Sequence, residues 1–126
     1  NNVIKKKIYI GKLYFKLLSK NKNIFIKKPV EGKSINIYWV VGILILKNKI
    51  LAKQLSNKLG KAGVQTRPFF FPMNKQKILK KFLKVKNEKF KNSEYISKYG
   101  LYLPSFYDLK KKDIYFICNQ VNKFTK

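Results

Sequence analysis

The chain has 126 residues and a formal net charge of +25, from 30 Lys+Arg against 5 Asp+Glu. Its apolar content of 45% supports one domain with a real core rather than a disordered basic tail. With no His and a single Cys, this chain alone can build neither a Ser-His-Asp triad, nor a His-ligated metal site, nor an internal disulfide.

Apolar residues Ile10, Leu13, Tyr14, Leu17 and Leu18 recur at helical spacing and predict a helix over about 3–20, ended by Asn21-Lys22-Asn23. Pro29 and the run Glu31-Gly32-Lys33-Ser34 read as a turn. Residues 35–46 are β-branched and aromatic and predict one buried strand, with Tyr38 and Trp39 in it as core or interface residues. Asn48 is the candidate cap of a second helix that shows Ile50, Leu51, Leu55 and Leu59 on one side and stops at Gly60 and Gly63. Residues 64–71 predict a second strand, closed by Pro72. Residues 74–85 predict a short helix or turn with Ile78, Leu79 and Phe82 inward, and 92–99 a helical turn ending at Gly100. Residues 101–103 are extended, because Pro104 disfavours helix before it. A last helix over 110–124 presents Ile114, Ile117, Val121 and Phe124. The expected class is α+β, a two- or three-stranded sheet with helices on one side.

The charge points first to a phosphate-rich partner, which makes a small basic nucleic-acid-binding module one reading. Its make-up points elsewhere. Arg67 is the only arginine among the 30 basic residues, whereas phosphate and guanine readers lean on the arginine fork. The lysines are scattered, with no run longer than Lys5-Lys6-Lys7 or Lys110-Lys111-Lys112. Lys, Asn, Ile, Tyr and Phe, all with A/T-rich codons, dominate the chain, so genome composition accounts for most of the charge. The apolar run 35–46 is shorter than the roughly 20 residues of a membrane span, and Lys12 and Lys16 break the first apolar stretch. No membrane and no signal peptide are therefore expected, and a cytoplasmic setting is. Asn1 and a lone Met at position 73 point to a cut within a longer protein.

Catalytic chemistry is thin. Glu31, Glu88, Glu94, Asp108 and Asp113 are far apart, and the last two suit the positive end of the closing helix. There is no Gly-rich phosphate loop and no Cys pair, and Cys118 beside Ile117 reads as a small core residue. The exception is Gly63-Val64-Gln65-Thr66-Arg67-Pro68-Phe69-Phe70-Phe71-Pro72-Met73-Asn74-Lys75-Gln76. An arginine surviving in so lysine-rich a chain points to a bidentate grip on phosphate or carboxylate, or to a tie on a carbonyl or ring. The three phenylalanines suit a wall against a flat ligand or a neighbouring subunit.

That stretch resembles the G-I-x-T-R-P-F-F-x-P-x-H-x-Q segment of the DegT/DnrJ/EryC1/StrS sugar aminotransferases. Four further segments are similar in the same order: Ile10 to Leu18, Tyr38-Trp39, Tyr99-Gly100-Leu101-Tyr102-Leu103-Pro104-Ser105, and Leu109 to Ile117 with Asp113-Ile114 in register. The combination is most like the perosamine-forming branch of the family. The resemblance implies the small C-terminal domain of an aspartate-aminotransferase-type (fold type I) enzyme, a short antiparallel sheet covered by helices. It implies residues 1–22 as a linker helix from a missing large domain and 23–126 as the C-terminal small domain. It implies pyridoxal phosphate as cofactor, bound mainly by the missing domain, glutamate as amino donor and a nucleotide-linked 4-keto-6-deoxy sugar (GDP-4-keto-6-deoxymannose in that branch) as acceptor. A homodimer of the full-length protein is implied, with no nucleic acid bound, and inactivity of this piece alone. Arg67, Phe69 and Asn74 are the implied substrate-binding residues, with no catalytic, cofactor or metal ligand in the chain. The family's usual His is Asn74 here, which cannot carry a proton near neutral pH, and its usual Pro is Lys77. Its usual Thr at the last helix cap is Lys110, which forfeits an N-cap bond.

Overall fold

A computed structural model of the chain describes residues 2–47, 50–82 and 90–126. Helix α1 (Asn2–Leu18) leads into strand β1 (Ile24–Ile26), a small hairpin of β2 (Val30–Glu31) and β3 (Ser34–Ile35), and strand β4 (Val41–Ile45). Helix α2 (Ala52–Lys61), strand β5 (Arg67–Pro68), a 3-10 turn (Met73–Lys75), α3 (Lys77–Phe82) and α4 (Lys91–Tyr99) follow, then β6 (Gly100–Leu103) and α5 (Lys111–Phe124). The main sheet has the order β1-β4-β6-β5, and every pairing in it is antiparallel. The class is α+β, as expected, and the sheet has four strands where two or three were predicted.

Alternation along the strands gives the sheet one core face. Ile24 and Ile26, then Val41, Ile43 and Ile45, then Leu101 and Leu103 are buried, while Phe25, Gly42, Leu44 and Tyr102 between them face the other way. The core face meets Ile10, Leu13, Tyr14 and Leu18 of α1, Leu55 and Leu59 of α2, and Ile114, Ile117, Cys118 and Val121 of α5 in one cluster. Those helical residues sit at the spacing that a 3.6-residue period requires of a single apolar stripe. Three hydrogen bonds lock the two chain-distant helix ends together. Asn21 Nδ2 donates to Asn122 Oδ1 at 2.8 Å and to Thr125 Oγ1 at 2.9 Å, and Asn23 Nδ2 donates to the Thr125 carbonyl at 2.7 Å.

Several expectations are corrected. The run 35–46 is not one strand: only 41–45 joins the main sheet, and 34–35 belongs to the hairpin. Tyr38 breaks it with φ of 51°, held by an Asx turn in which Asn36 Oδ1 accepts from the Tyr38 N–H at 2.8 Å. The hairpin turns on Gly32 at φ 59°, the glycine-first pattern of a two-residue loop. The predicted strand 64–71 shrinks to Arg67–Pro68, because Pro68 has no N–H with which to extend a ladder. Of the three residues expected inward, Ile78 and Phe82 are 64% and 77% exposed and Leu79 is half-buried, on a helix of only six residues. Asn48 and residues 83–85 lie outside the described residues. Helix α2 starts instead after Leu51, whose N–H donates to Gln54 Oε1 at 3.0 Å. The same half of a capping box opens α5, where Asp113 Oδ2 accepts from the Lys110 N–H at 3.2 Å. Asp113 thus does structural work at the positive end of that helix, as its position predicted.

Candidate functional site

Strand β5 is an edge of the sheet, and it carries Arg67. Its partner is β6, with Arg67 opposite Tyr102 and Pro68 opposite Leu101. The strand is led in by Ser56 of α2, whose hydroxyl lies 2.8 Å from that of Thr66. Since side chains alternate along a strand, Arg67 and Phe69 share the face that carries Tyr102, away from the core. Among the described residues no hydrogen bond, ion pair or ring contact engages the Arg67 guanidinium, and the side chain is exposed. Among the described residues, the structural alternative for this lone arginine, a tie on a carbonyl or a ring, is not seen.

Phe69 is half-buried and has a seat of its own. Its ring stacks on Tyr102 with centroids 4.3 Å apart at 23°, and Phe70 meets the same tyrosine edge-on at 5.8 Å. The seat exists because two glycines lack a Cβ. A Cβ on Gly42 would come 2.8 Å from Phe69 Cζ, and one on Gly100 would collide with the Phe69 ring and the Ile96 carbonyl. The ring thus lies flat over β4 and β6, and the Phe69 N–H reaches the Gly100 carbonyl at 3.4 Å. Asn74 sits farther along, half-buried in the 3-10 turn, which Lys75 ties to α4 through Glu94 at 2.9 Å.

Beside Arg67 opens a cleft of about 1350 Å³. Its walls include Trp39, Thr66, Arg67, Tyr102, Ser105 and Phe106. The structure therefore brings Arg67 together with Tyr102 and Trp39, while Phe69 and Asn74 are not among the cleft's lining residues. Tyr102 and Trp39 were missed as candidates. Tyr102 could have been found from strand alternation in Gly-Leu-Tyr-Leu. Trp39 was assigned to a buried strand and is 70% exposed, because the positive φ of Tyr38 swings it out of the sheet.

The Tyr38 ring packs where Gly11 of α1 offers bare backbone. Its hydroxyl is buried with no partner among the described residues, and burial pushes its pKa above the usual phenol value. Cys118 is buried in the core, which drives its thiol up to about 12 and leaves it inert at neutral pH, as its position beside Ile117 predicted.

Pyridoxal phosphate requires a lysine amine free to condense and a partner for the pyridine nitrogen. Lys61 and Asp113 line the cleft, but Lys61 is an exposed residue in the last turn of α2 and Asp113 is engaged at the start of α5. No group of three or more acids and Cys that could hold a metal occurs among the described residues. No helix among them is long and apolar enough to cross a membrane. Among the described residues of the cleft, then, no unengaged acid accompanies the lysine.

Comparison with known proteins agrees with the motifs. The chain is 28% identical over 125 residues to the GDP-perosamine synthase of Escherichia coli O157:H7, spanning 98% of this chain and 32% of that one. Among solved structures it superposes on Helicobacter pylori PseC, an aminotransferase of pseudoaminic acid biosynthesis, with a TM-score of 0.84 at 16% identity over 97% of this chain and 32% of that one. It also superposes on the E. coli GDP-4-keto-6-deoxy-D-mannose-3-dehydratase with bound hydrated pyridoxal phosphate, at a TM-score of 0.81 and 16% identity, over 95% of this chain and 31% of that one. The chain thus spans about a third of the length of the relatives it matches, and its fold is that of part of a fold type I aminotransferase. The nucleic-acid reading receives no support from any of these. The family model for the DegT/DnrJ/EryC1/StrS aminotransferases matches residues 1–122, and the chain belongs to that family.

Proposed function

We propose that the chain is the C-terminal part of a pyridoxal-phosphate-dependent sugar aminotransferase that moves an amino group from glutamate to a 4-keto-6-deoxy sugar linked to a nucleotide. Residues 1–22 would form the linker helix and 23–126 the small domain. The observation that carries this reading is Arg67, the sole arginine, exposed on an edge strand at the wall of a cleft with no side-chain partner among the described residues, inside the stretch where the family motif runs. The 28% identical perosamine synthase supports GDP-4-keto-6-deoxymannose as the acceptor.

Arg67 grips an anionic or bidentate group of the substrate, a role its planar fork suits and a lysine does not. Asn74 stands near the same segment as a donor and acceptor that stays neutral. Phe69, expected as a pocket wall, acts from its seat on Tyr102, fixing the register of β5 and hence the place of Arg67. The cofactor is held by the two thirds of the enzyme this chain does not span, where it serves as the electron sink of amino transfer. The exposed Phe25, Phe70 and Phe71 on and beside the open sheet face suit burial against that larger portion or a second subunit of a homodimer.

The test is glutamate-dependent amino transfer to GDP-4-keto-6-deoxymannose by the full-length enzyme, comparing Arg67 with Arg67→Lys. Loss of a bidentate, charge-assisted contact of about 1.5–3 kcal/mol lowers kcat/KM about 10- to 100-fold. An unchanged kcat/KM would remove Arg67 from the site.

A further inference from the structure

One face of α1 reaches the two loops that frame the cleft. Lys7 Nζ donates to the Trp39 carbonyl at 2.9 Å, to the Ser105 carbonyl at 2.5 Å and to Ser105 Oγ at 2.9 Å. An ammonium group has three protons, so its donor capacity is spent on these two segments. One turn on, Gly11 leaves bare backbone for the Tyr38 ring, and a further turn on, the Tyr14 hydroxyl donates to the Pro104 carbonyl at 2.9 Å. Residues 7, 11 and 14 fall at i, i+4 and i+7, so one stripe of α1 makes all these contacts. The segments held are 38–39 and 104–105, and Trp39, Pro104, Ser105 and the adjoining Phe106 all line the cleft. Neither segment has a strand or helix of its own to hold it. Lys7 is partly withdrawn from water, and that desolvation lowers its pKa below the ordinary lysine value. A lysine kept there despite that cost has its charge directed at carbonyl oxygens, which are strong partners for an ammonium donor.

We propose that Lys7 is a positioning residue: it splints the Tyr38-Trp39 turn to the Pro104-Ser105 segment and thereby sets the width of the cleft mouth and the place of the Trp39 indole. The inference rests on the proposed function only in taking that cleft as the substrate's. The splint itself is a property of this chain and can fail or stand independently. Trp39 is the only tryptophan, so its backbone amide and indole report on the tether without interference.

The experiment is nuclear magnetic relaxation on the 126-residue chain, comparing the parent with Lys7→Met and with Lys12→Met as a control at an exposed lysine of the same helix. The parent gives Trp39 and Ser105 amide order parameters near the rigid value of about 0.85, and Lys7→Met lowers both below about 0.6. Core amides such as Leu55 and Ile114 stay unchanged, and Lys12→Met alters none of them. A residue with a merely global role would lower all amides together or none. If Lys7→Met leaves Trp39 and Ser105 as ordered as the parent, the proposal is overturned. If Lys7→Met unfolds the chain, Lys7→Gln is read instead: its amide retains two donors but no charge. Loosening confined to Trp39 or Ser105 upholds the splint, and order unchanged at both overturns it.

Discussion

Gly42→Ala tests whether Phe69 is seated as described. The added Cβ would stand 2.8 Å from Phe69 Cζ and 3.6 Å from Tyr102 Cε1. Carbon contacts relax near 3.5–4.0 Å, so the ring tip must retreat by most of an ångström, and it is stacked on Tyr102 at 4.3 Å. Overpacking of this kind costs about 1–3 kcal/mol. With an unfolding entropy of about 2.1 cal/mol/K per residue, that lowers Tm by about 4–11 °C for a chain of this length. Phe69→Leu alone loses the aromatic stack, worth about 0.5–1.5 kcal/mol, and part of the burial. In the double variant the smaller side chain leaves room for the new methyl, so the two costs do not add. The coupling is about 0.5–3 kcal/mol in the favourable direction, read from urea or thermal unfolding followed by circular dichroism. Additive losses would show that the Phe69 ring does not lie over Gly42, and would also undo the argument that Phe69 fixes the register of Arg67.

Other outcomes follow from the same packing. Leu55→Ala, at a fully buried position of α2, destabilises by about 2–5 kcal/mol in chemical denaturation; a loss under about 1 kcal/mol would contradict its place in the core. Asn21→Ala breaks bonds to both Asn122 and Thr125 and costs about 1–3 kcal/mol, with the largest rise in hydrogen exchange at the end of α5 rather than in the sheet. Between pH 9 and pH 12 the unfolded chain loses the Cys118 proton while the folded chain keeps it, so stability falls as pH rises, by up to about 1.4 kcal/mol per unit. Tyr14, whose pKa burial raises, acts in the same direction from about pH 10 upward, and Lys7, whose pKa is lowered, acts oppositely below 10.5. The difference between the parent and Cys118→Ala isolates the thiol, and parallel pH profiles would contradict its burial.

Periodicity found what periodicity governs. The stripes Ile10-Leu13-Tyr14-Leu18 and Ile114-Ile117-Val121 bury as spaced, because a helix with one apolar stripe has one way to face a core. Strand lengths were less legible. Strand β1 escaped notice because three residues, Ile24-Phe25-Ile26, are too few to show a period, and only pairing with β4 makes them a strand. The run 35–46 misled because β-branched content cannot reveal an Asx turn at Asn36, which is a side-chain-to-backbone bond rather than a pattern. In α3, Ile78 and Phe82 have helical spacing without a neighbour to bury them, and spacing alone does not supply one. At the site, Arg67 stood out by composition, since a lone arginine is visible in any lysine-rich sequence. Its companions Tyr102 and Trp39, and the Lys7 tether 32 and 98 residues distant from its acceptors, are set by tertiary contact and leave no local mark.

Chemical-shift mapping of the isotope-labelled chain with the GDP-linked 4-keto-6-deoxy sugar bears most directly on whether this domain meets substrate through Arg67. Perturbations should gather at Arg67, Tyr102 and Trp39 and shrink in Arg67→Lys. Shifts spread over the lysines of α1, α2 and α5, indifferent to Arg67→Lys, would contradict that assignment.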